Sequence, residues 1–303
     1  MGSEITKQNG NIAFCEDTHN YWDVINPDRK FISVTTLIHS YSQPFNGEFW
    51  SSYKALEKLL PADIWKEEKK ALLKTNKFNY ALIELHGIDP KVFKQTKQTI
   101  LDEWAETNRI SCERGTAIHA DFENSFYKAG KSVSLSTFGI QGTYECRKNY
   151  NELDLQYGVY PEYLISRVSD DGILCLAGQI DLLIKDGNDI IIGDFKTNAK
   201  INTKGFFDGA SKAETKMKYP LTTLGDCNYS HYNLQLSTYA WMLQKINPDF
   251  NIKDLFLYHI DHENNTKIYH LPYLKHEVEL MLAHYKKKRI REIQREQFKP
   301  IEY

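Results

Sequence analysis

The stretch Leu176–Asn198, LAGQIDLLIKDGNDIIIGDFKTN, has the pattern of a β-hairpin. Two apolar runs, Ile180–Ile184 and Ile190–Ile192, lie on either side of the dipeptide Asp186-Gly187, which favours a tight turn between two strands. Both runs are too apolar for a solvent-exposed position. The hairpin is therefore predicted to lie inside a sheet that is buried in the protein.

Three charged side chains, Asp181, Asp194 and Lys196, interrupt these apolar runs. Charged groups are seldom buried unless they are paired or bind a metal. Side chains alternate between the two faces of a strand, so Asp194 and Lys196 share one face and Phe195 lies on the other. We therefore expect two carboxylates and an ammonium to meet at one end of a small sheet. Carboxylate oxygens suit Mg²⁺, and a nearby lysine can position a water or stabilise charge on a phosphate.

Asp181 and the tripeptide Asp194-Phe195-Lys196 together resemble the Asp…(Asp/Glu)-x-Lys core of the PD-(D/E)xK nuclease superfamily. The upstream segment 115–123, GTAIHADFE, and the downstream segment 235–239, QLSTY, resemble the GTxxH…E and QxxxY helices of its RecB-like branch. That branch includes phage exonucleases and the mitochondrial genome maintenance exonuclease. The order and spacing of the three motifs match it.

The resemblance implies an α/β fold: a restriction-endonuclease-like core with a central mixed β-sheet flanked by helices, plus an N-terminal helical region. It implies a metal-dependent deoxyribonuclease that binds one or two Mg²⁺ or Mn²⁺ ions through His119, Asp181, Asp194 and the carbonyl of Phe195. In such a site Lys196 would orient the attacking water or help to deprotonate it.

Further polar residues are assigned to the same site. Glu123 lies one turn after His119 on one helix face, where it would complete the metal shell or activate a water. Gln235 and Tyr239 share a face of a later helix and, by the resemblance, position the site and contact the DNA backbone. Glu162, at the start of a strand, is a secondary candidate; an edge-strand carboxylate paired with a surface cation explains it equally well.

The chain is predicted to comprise residues 1–109, an N-terminal hairpin and helical region packed on the core, and residues 110–303, the nuclease core with a C-terminal helix. Pro61 and Gly87 with Pro90 are expected to break the first region into at least three helices. Later in the chain, helices are predicted at 116–127, 140–157 (amphipathic), 232–243 and 275–297 (terminal). A strand from Glu162 is predicted to complete an antiparallel meander with the hairpin, and two further strands are predicted at 253–260 and 266–271.

Three polar features each have two interpretations. The segment 33–35, SVT, either contacts a phosphate through its hydroxyls or caps the following helix. Residues 197–232 contain five lysines interleaved with aromatic residues. This segment either contacts phosphates and stacks on the bases of a single strand, or it is a solvated insertion whose aromatic side chains pack in the core. The basic run Lys286–Arg289 either binds a DNA backbone or forms a solvated helix face with glutamate partners.

Composition narrows the functional class. The chain has 303 residues, of which 41% are hydrophobic and 26% charged, as in ordinary globular proteins, and its net charge of −2 argues against a protein that coats DNA non-specifically. Five cysteines without a C-x-x-C motif indicate a reducing compartment and no iron–sulfur cluster. A Walker-type G-x-x-x-x-G-K-[ST] motif is absent from the sequence, which argues against a motor activity.

The sequence shows neither a signal-peptide core nor an apolar run long enough to span a membrane, so we expect a cytoplasmic protein without membrane association, in the host cytoplasm if it is phage-encoded. The favoured function is an exonuclease on single-stranded or end-containing DNA in phage-type replication or recombination, with replication or recombination proteins as candidate partners. The alternatives are a catalytically silent relative that binds nucleic acid or assists assembly, and a nuclease acting on RNA.

Overall fold

A computed structural model describes residues 5, 7–16, 18–148, 155–209 and 211–297. Its helices are α1 Val34–His39, α2 Gly47–Leu59, α3 Ala62–Thr75, α4 Ala81–Leu85, α5 Pro90–Ala129, α6 Asn228–Ile246 and α7 Lys275–Gln297, with a 3₁₀ turn at Ser136–Phe138. Its strands are β1 Lys7–Asn9, β2 Ile12–Cys15, β3 Asn20–Asp23, β4 Ile32–Ser33, β5 Val133–Ser134, β6 Thr143–Tyr144, β7 Gly158–Val168, β8 Cys175–Asp186, β9 Asp189–Lys196, β10 Phe207–Asp208, β11 Ala213–Glu214, β12 Asn251–Ile260 and β13 Thr266–His270.

Local signals set the ends of the N-terminal helices. Ser33 caps α1, because its Oγ accepts the backbone N–H of Thr36 at 3.0 Å, and the capping interpretation of this segment is confirmed. The predicted break at Pro61 separates α2 from α3. The break predicted at Gly87 and Pro90 separates α4 from α5.

The long helix α5 begins where Asp89 accepts the N–H of Lys91 at 2.7 Å, and it ends at Gly130, whose φ of 59° is costly for other residues. It runs without a break past residues 109 and 110, the predicted boundary between the N-terminal region and the nuclease core. The helix predicted at 116–127 forms its last turns. The division into two regions stays a prediction.

The central sheet has six strands and is mixed. Its order is β13-β12-β9-β8-β4, and β7 pairs with the other edge of β8. β7, β8 and β9 form the predicted antiparallel meander, whereas β12 runs parallel to β9 and antiparallel to β13. With helices on both faces, the predicted α/β fold class is confirmed.

Each face of the sheet has its own hydrophobic core. On one face, Ile192 of β9 packs in a cluster with Leu236 of α6 and with residues of α1 and α7. On the other face, Phe195 packs in a cluster with Phe126 of α5. A third cluster joins α2, α3, α4 and the first half of α5, which forms a helical layer beside the sheet.

The helix predicted at 140–157 is wrong for the residues of that range that the structure describes. Thr143 and Tyr144 form β6, which pairs with β5, and Cys146 bridges to Val159 of β7. Tyr144 is buried in the cluster beneath α5, so the apolar residues of this segment reach the core from an extended backbone rather than from one helix face. Residues 149–154 of the predicted helix lie outside the described residues.

The remaining predicted elements are confirmed with shifted ends. The strand pair near the C-terminus spans β12 and β13, and α7 matches the predicted terminal helix. The helix predicted at 232–243 is α6, which begins one turn earlier at Asn228. Residues 197–227, which we call the connecting segment, contain the short hairpin β10–β11.

Two further properties concern the cysteines and the helices. Cys112, Cys146, Cys175 and Cys227 are free thiols. In the part of the chain that the structure describes, no helix is long and apolar enough to cross a membrane.

The sheet leaves a gap beside the middle of β8. One edge of β8 pairs with β7. The other edge pairs with β9 from Leu182 to Asp186 and with β4 at Leu176 and Ala177. Among the described residues, those between these two stretches, which include Asp181, have no strand partner on that edge. A functional site can therefore form inside the sheet rather than at its rim.

Gly193 provides a test of this packing. The buried ring of Phe256 on β12 covers it, and a Cβ at position 193 would lie 2.8 Å from Cε2 of that ring. We expect Gly193→Ala to lower the free energy of unfolding in urea by about 1–3 kcal/mol, because the ring must move. Gly47→Ala is the control, since its Cβ would meet its nearest neighbour at 3.6 Å, and it should be neutral or stabilising by up to about 1 kcal/mol. Equal stability of the two variants would contradict this packing.

Candidate active site

Three carboxylates lie at one level across β7, β8 and β9. Extending the β7–β8 register places Glu162 opposite Asp181, and extending the β8–β9 register places Asp181 opposite Asp194. Neither pair belongs to the ladder, because β7 is distorted at Glu162 and β9 separates from β8 after Gly193. The strand pairing is therefore interrupted where the three acidic residues lie side by side.

The backbone of Phe195 is bound by two of the candidate side chains. Oδ2 of the buried Asp181 accepts the N–H of Phe195 at 2.8 Å, where a regular strand pair would supply a carbonyl. Nε2 of His119, on α5, donates to the carbonyl of Phe195 at 3.1 Å. The ring of Phe195 stacks on that of Phe122 with 4.2 Å between centroids. These contacts fix α5 to the sheet at the site.

The second ring nitrogen of His119 faces the carboxylates. Nδ1 lies 3.4 Å from Oε1 of Glu162 and 3.6 Å from Oδ2 of Asp181. One ligand atom from each of these three residues lies within 4.8 Å of the others. An imidazole nitrogen with two carboxylate oxygens at this spacing can bind one divalent cation.

Glu162 occupies a strained backbone conformation. Its φ of 51° is in the left-handed region, which is unfavourable for a residue with a side chain. Its Oε2 accepts a hydrogen bond from Nε2 of Gln179 and lies 3.6 Å from Nζ of Lys7. The same Nζ is 3.4 Å from Oε2 of Glu123. Strain together with this set of polar contacts is typical of a functional position.

A second group of polar residues adjoins the first. Nζ of Lys196 lies 2.6 Å from the buried Oδ2 of Asp194, an ion pair without the angles of a hydrogen bond. Nε2 of Gln235 donates to the other oxygen of Asp194 at 3.3 Å and lies 3.4 Å from the hydroxyl of Tyr239. The ammonium also lies 4.7 Å from the ring centroid of Tyr232. Helix α6 thus holds the Asp194–Lys196 pair.

The close approach of α6 to β8 depends on Gly178. A Cβ at this position would lie 2.9 Å from the hydroxyl of Tyr239 and closer still to its ring. Glycine therefore lets a buried tyrosine pack directly on the strand that carries Asp181.

Burial, followed by the neighbouring charges, determines the pKa values of the site residues. Burial raises the pKa of Asp181, and burial together with the charge of Asp181 raises the pKa of Asp194 to about 6. Burial by itself lowers the pKa of His119, but the charge of Asp181 and the hydrogen bond to Glu162 raise it to about 9. Burial also lowers the pKa of Lys196, yet the neighbouring aspartates raise it overall. The site holds more negative charge than it readily accommodates.

An open cleft of about 300 Å³ leads to the first group. Lys7 and Tyr21, from the sheet β1-β2-β3, line one wall, and Thr116 and Glu123 of α5 line another. His119 also lines the cleft, so a substrate can reach the imidazole directly.

The structure places the predicted metal ligands in two groups. His119 and Asp181 contact each other and the backbone of Phe195, whose carbonyl accepts a hydrogen bond from the imidazole. Asp194 contacts Lys196 and the α6 residues instead of the imidazole. Glu123 lies at the cleft wall and pairs with Lys7. The assigned roles of all these residues stay predictions.

Two contributors were missed in the sequence. Gln179 precedes Asp181 by two positions on the same strand face, a spacing that marks it as a neighbour once the hairpin is identified. Lys7 reaches the site from β1, more than a hundred residues away in the chain, and no local pattern identifies it. Glu162, kept as a secondary candidate, lies in the compact donor cluster.

The donors fit a hard divalent cation. They are carboxylate oxygens and one imidazole nitrogen, which suit Mg²⁺ or Mn²⁺. The buried Oδ2 of Asp194 has a cation beside it but no hydrogen-bond partner. His119 donates one ring N–H to a backbone carbonyl, the arrangement that commonly orients a metal-binding imidazole. Nδ1, Asp181 and Glu162 would hold the ion.

The structure thus combines a mixed sheet that has helices on both faces with an Asp…Asp-x-Lys cluster at a gap between its strands. A family model described as the PD-(D/E)XK nuclease superfamily matches residues 54–303, which is most of the chain. The protein belongs to the PD-(D/E)XK nuclease superfamily, as its motifs indicated.

Other comparisons add little to this assignment. A search of curated proteins finds no match. Among solved structures, SSO0001 is similar with a TM-score of 0.26 and 17% sequence identity. The match covers 43% of this chain and 50% of that protein. A candidate exonuclease from Eubacterium rectale is similar at a TM-score of 0.30 and 10% identity, over 88% of this chain and 81% of that protein. At these TM-scores neither likeness extends the assignment beyond the superfamily.

Metal binding can be measured without catalysis. We expect Asp181→Asn to weaken Mn²⁺ binding by at least about tenfold, because an anionic ligand is lost while an oxygen remains to accept the N–H of Phe195. Calorimetric titration of Mn²⁺ measures this change. Glu106→Gln, an exposed α5 position paired with Arg109, should bind Mn²⁺ like the wild type. Equal affinities for all three proteins would rule out this cluster as the binding site.

Proposed function

We propose that this protein is a metal-dependent deoxyribonuclease that hydrolyses phosphodiester bonds. The observation that carries the proposal is the compact cluster of His119, Glu162 and Asp181 beside the Asp194–Lys196 pair, in a chain of the PD-(D/E)XK superfamily. When bound, a divalent cation would supply the positive charge that phosphodiester hydrolysis requires at the scissile phosphate.

The protein residues have separable tasks in this reaction. Asp181 and Glu162, with Nδ1 of His119, form the binding position, and the N–H of Phe195 keeps Asp181 oriented. The ammonium of Lys196 donates hydrogen bonds to the attacking water and so directs its oxygen at phosphorus. That oxygen forms the new bond to phosphorus while the bond to the leaving sugar oxygen breaks. The attacking water releases one proton to the surrounding solvent, and the leaving oxygen takes one up from it.

We further propose an exonuclease that acts on single-stranded or end-containing DNA in phage-type replication or recombination. The motifs at 115–123 and 235–239 support this, because they resemble those of phage and mitochondrial exonucleases. The cleft walls formed by β1-β2-β3 and α5 would favour a strand end over an uninterrupted duplex. Proteins of replication or recombination are its candidate partners.

A catalytically silent relative is the second candidate. A silent protein can lose its ligands without penalty, whereas this chain keeps two adjoining contacts, one between His119 and Asp181 and one between Asp194 and Lys196. Cleavage of RNA is a third candidate, for which the chain contains no recognisable RNA-binding module.

Cleavage of end-labelled DNA distinguishes these candidates. Wild-type protein should degrade linear single strands with Mg²⁺ or Mn²⁺ and should be inactive in EDTA. Lys196→Met keeps the apolar stem but lacks the ammonium, so its rate should fall about 10²- to 10³-fold. Lys185→Met, at the far end of the same hairpin, is the matched control and should retain the wild-type rate.

The substrate panel of this assay includes closed circular single strands and a matched RNA oligonucleotide. Resistance of the circle is expected, because an exonuclease needs an end. Cutting of circle and linear strand at equal rates would establish an endonuclease. Binding without cleavage of any substrate would support the silent relative, and preferential cleavage of the RNA would support the third candidate.

A further inference from the structure

A second cleft, of about 760 Å³, lies between α2 and the connecting segment. This volume is within the range of roughly 300–1,000 Å³ in which proteins bind small organic groups. Phe45, Phe49 and Trp50 form one wall, at the start of α2, and Phe206 of the connecting segment forms the other. The cleft is separate from the one that leads to His119, and the proposed reaction does not use it.

The walls of this cleft present aromatic rings to solvent. Phe45 is 71% exposed and Phe206 is 57% exposed, although large apolar side chains are normally withdrawn from water. Phe206 meets Trp50 edge to face at 5.6 Å between centroids, and Phe45 meets Trp104 in the same way at 5.9 Å. Exposed rings grouped in one cleft indicate a binding surface.

Both walls are held in place by hydrogen bonds. Nδ2 of Asn76, at the end of α3, donates to Asp208 at 2.6 Å. The N–H of Gln43 donates to Asp226 at 2.6 Å, and the N–H of Lys218 donates to the carbonyl of Tyr41 at 2.7 Å. The connecting segment is thus fixed against the loop between α1 and α2 and against the residue that follows α3, and the cleft is a built feature.

The cleft adjoins the candidate active site through α6. His231 lines the cleft, and Gln235, which donates to Asp194, follows it by one helical turn, about 5.4 Å along the axis. Tyr232, between them in sequence, lies against the ammonium of Lys196. The cleft and the ammonium of Lys196 thus border neighbouring residues of one helix, His231 and Tyr232.

The chemistry of the lining suits a nucleobase better than a phosphate. Two carboxylates, Asp208 and Asp226, line the cleft and would repel an anion, and Asp226 already accepts hydrogen bonds from Gln43 and His231. Aromatic rings stack on any base, and polar groups such as Asn46 and Ser42 can meet a base edge. Exposed Lys200 and Lys204 on the connecting segment can neutralise the adjoining phosphates.

We propose that this cleft, which we call the stacking cleft, receives one unpaired base of the DNA strand that is being cleaved. The proposal rests on the nuclease function proposed above and names its preferred substrate as single-stranded DNA. A base inside a duplex already has both faces stacked on its neighbours and cannot enter. Selection of a single strand is thereby built into the protein beside the reacting phosphate.

Binding in EDTA tests the stacking cleft without catalysis. We expect Phe206→Ala to weaken binding of a labelled twelve-nucleotide single strand about tenfold, and Phe45→Ala to act similarly, because each removes a stacking surface. Phe206→Tyr keeps a ring and should bind like the wild type. Phe207→Ala is the matched control: Phe207 is 62% exposed, lies outside the cleft lining, and its loss should leave affinity unchanged.

Fluorescence and cleavage complete the test. The single strand should quench the tryptophan emission of the wild type, and Trp50→Phe should lose most of this quenching, whereas a blunt duplex should quench neither. Wild-type affinity and wild-type single-strand cleavage in both Phe206→Ala and Phe45→Ala would overturn the stacking cleft while the nuclease assignment stands. Ring-dependent binding by a wild type that cleaves no DNA would support the cleft and refute the nuclease.

Discussion

The hydrogen bond from the N–H of Phe195 to the carboxylate of Asp181, 2.8 Å long, determines the geometry of this protein's candidate site. β9 leaves β8 at this point, and a side chain takes the place of the missing backbone acceptor. The same residue accepts a hydrogen bond from His119 through its carbonyl and stacks its ring on Phe122 of α5. One residue therefore sets the position of the hairpin, the long helix and two candidate ligands.

This arrangement has an electrostatic consequence. The opening of the sheet brings the carboxylates of Asp181, Glu162 and Asp194 to one level. Three protein cations, Lys196, Lys7 and the imidazolium of His119, offset that charge. Pairing of this kind makes the buried charges tolerable. The folded chain can therefore hold three carboxylates at one level because protein cations compensate their charge.

The sequence predicted the parts of the fold that depend on local patterns. Alternation and the Asp186-Gly187 turn predicted the hairpin, and charged residues inside apolar runs identified Asp181, Asp194 and Lys196. The segment at 140–157 was predicted wrongly, because burial of Tyr144 against the sheet prevails over a helical pattern there. The left-handed backbone of Glu162 and the contact from Lys7 depend on long-range packing, which no short stretch of sequence records. The stacking cleft likewise joins segments that are distant in the chain.

Crystals of the full chain soaked in Mn²⁺ would test the central claim most directly, since anomalous scattering locates the ion independently of activity. We expect a peak at about 2.0–2.2 Å from Nδ1 of His119 and from carboxylate oxygens of Asp181 and Glu162. An ion bound elsewhere, or none at this cluster at a saturating concentration, would contradict the account. The site would then be a set of paired charges that stabilises the opened sheet without binding a metal.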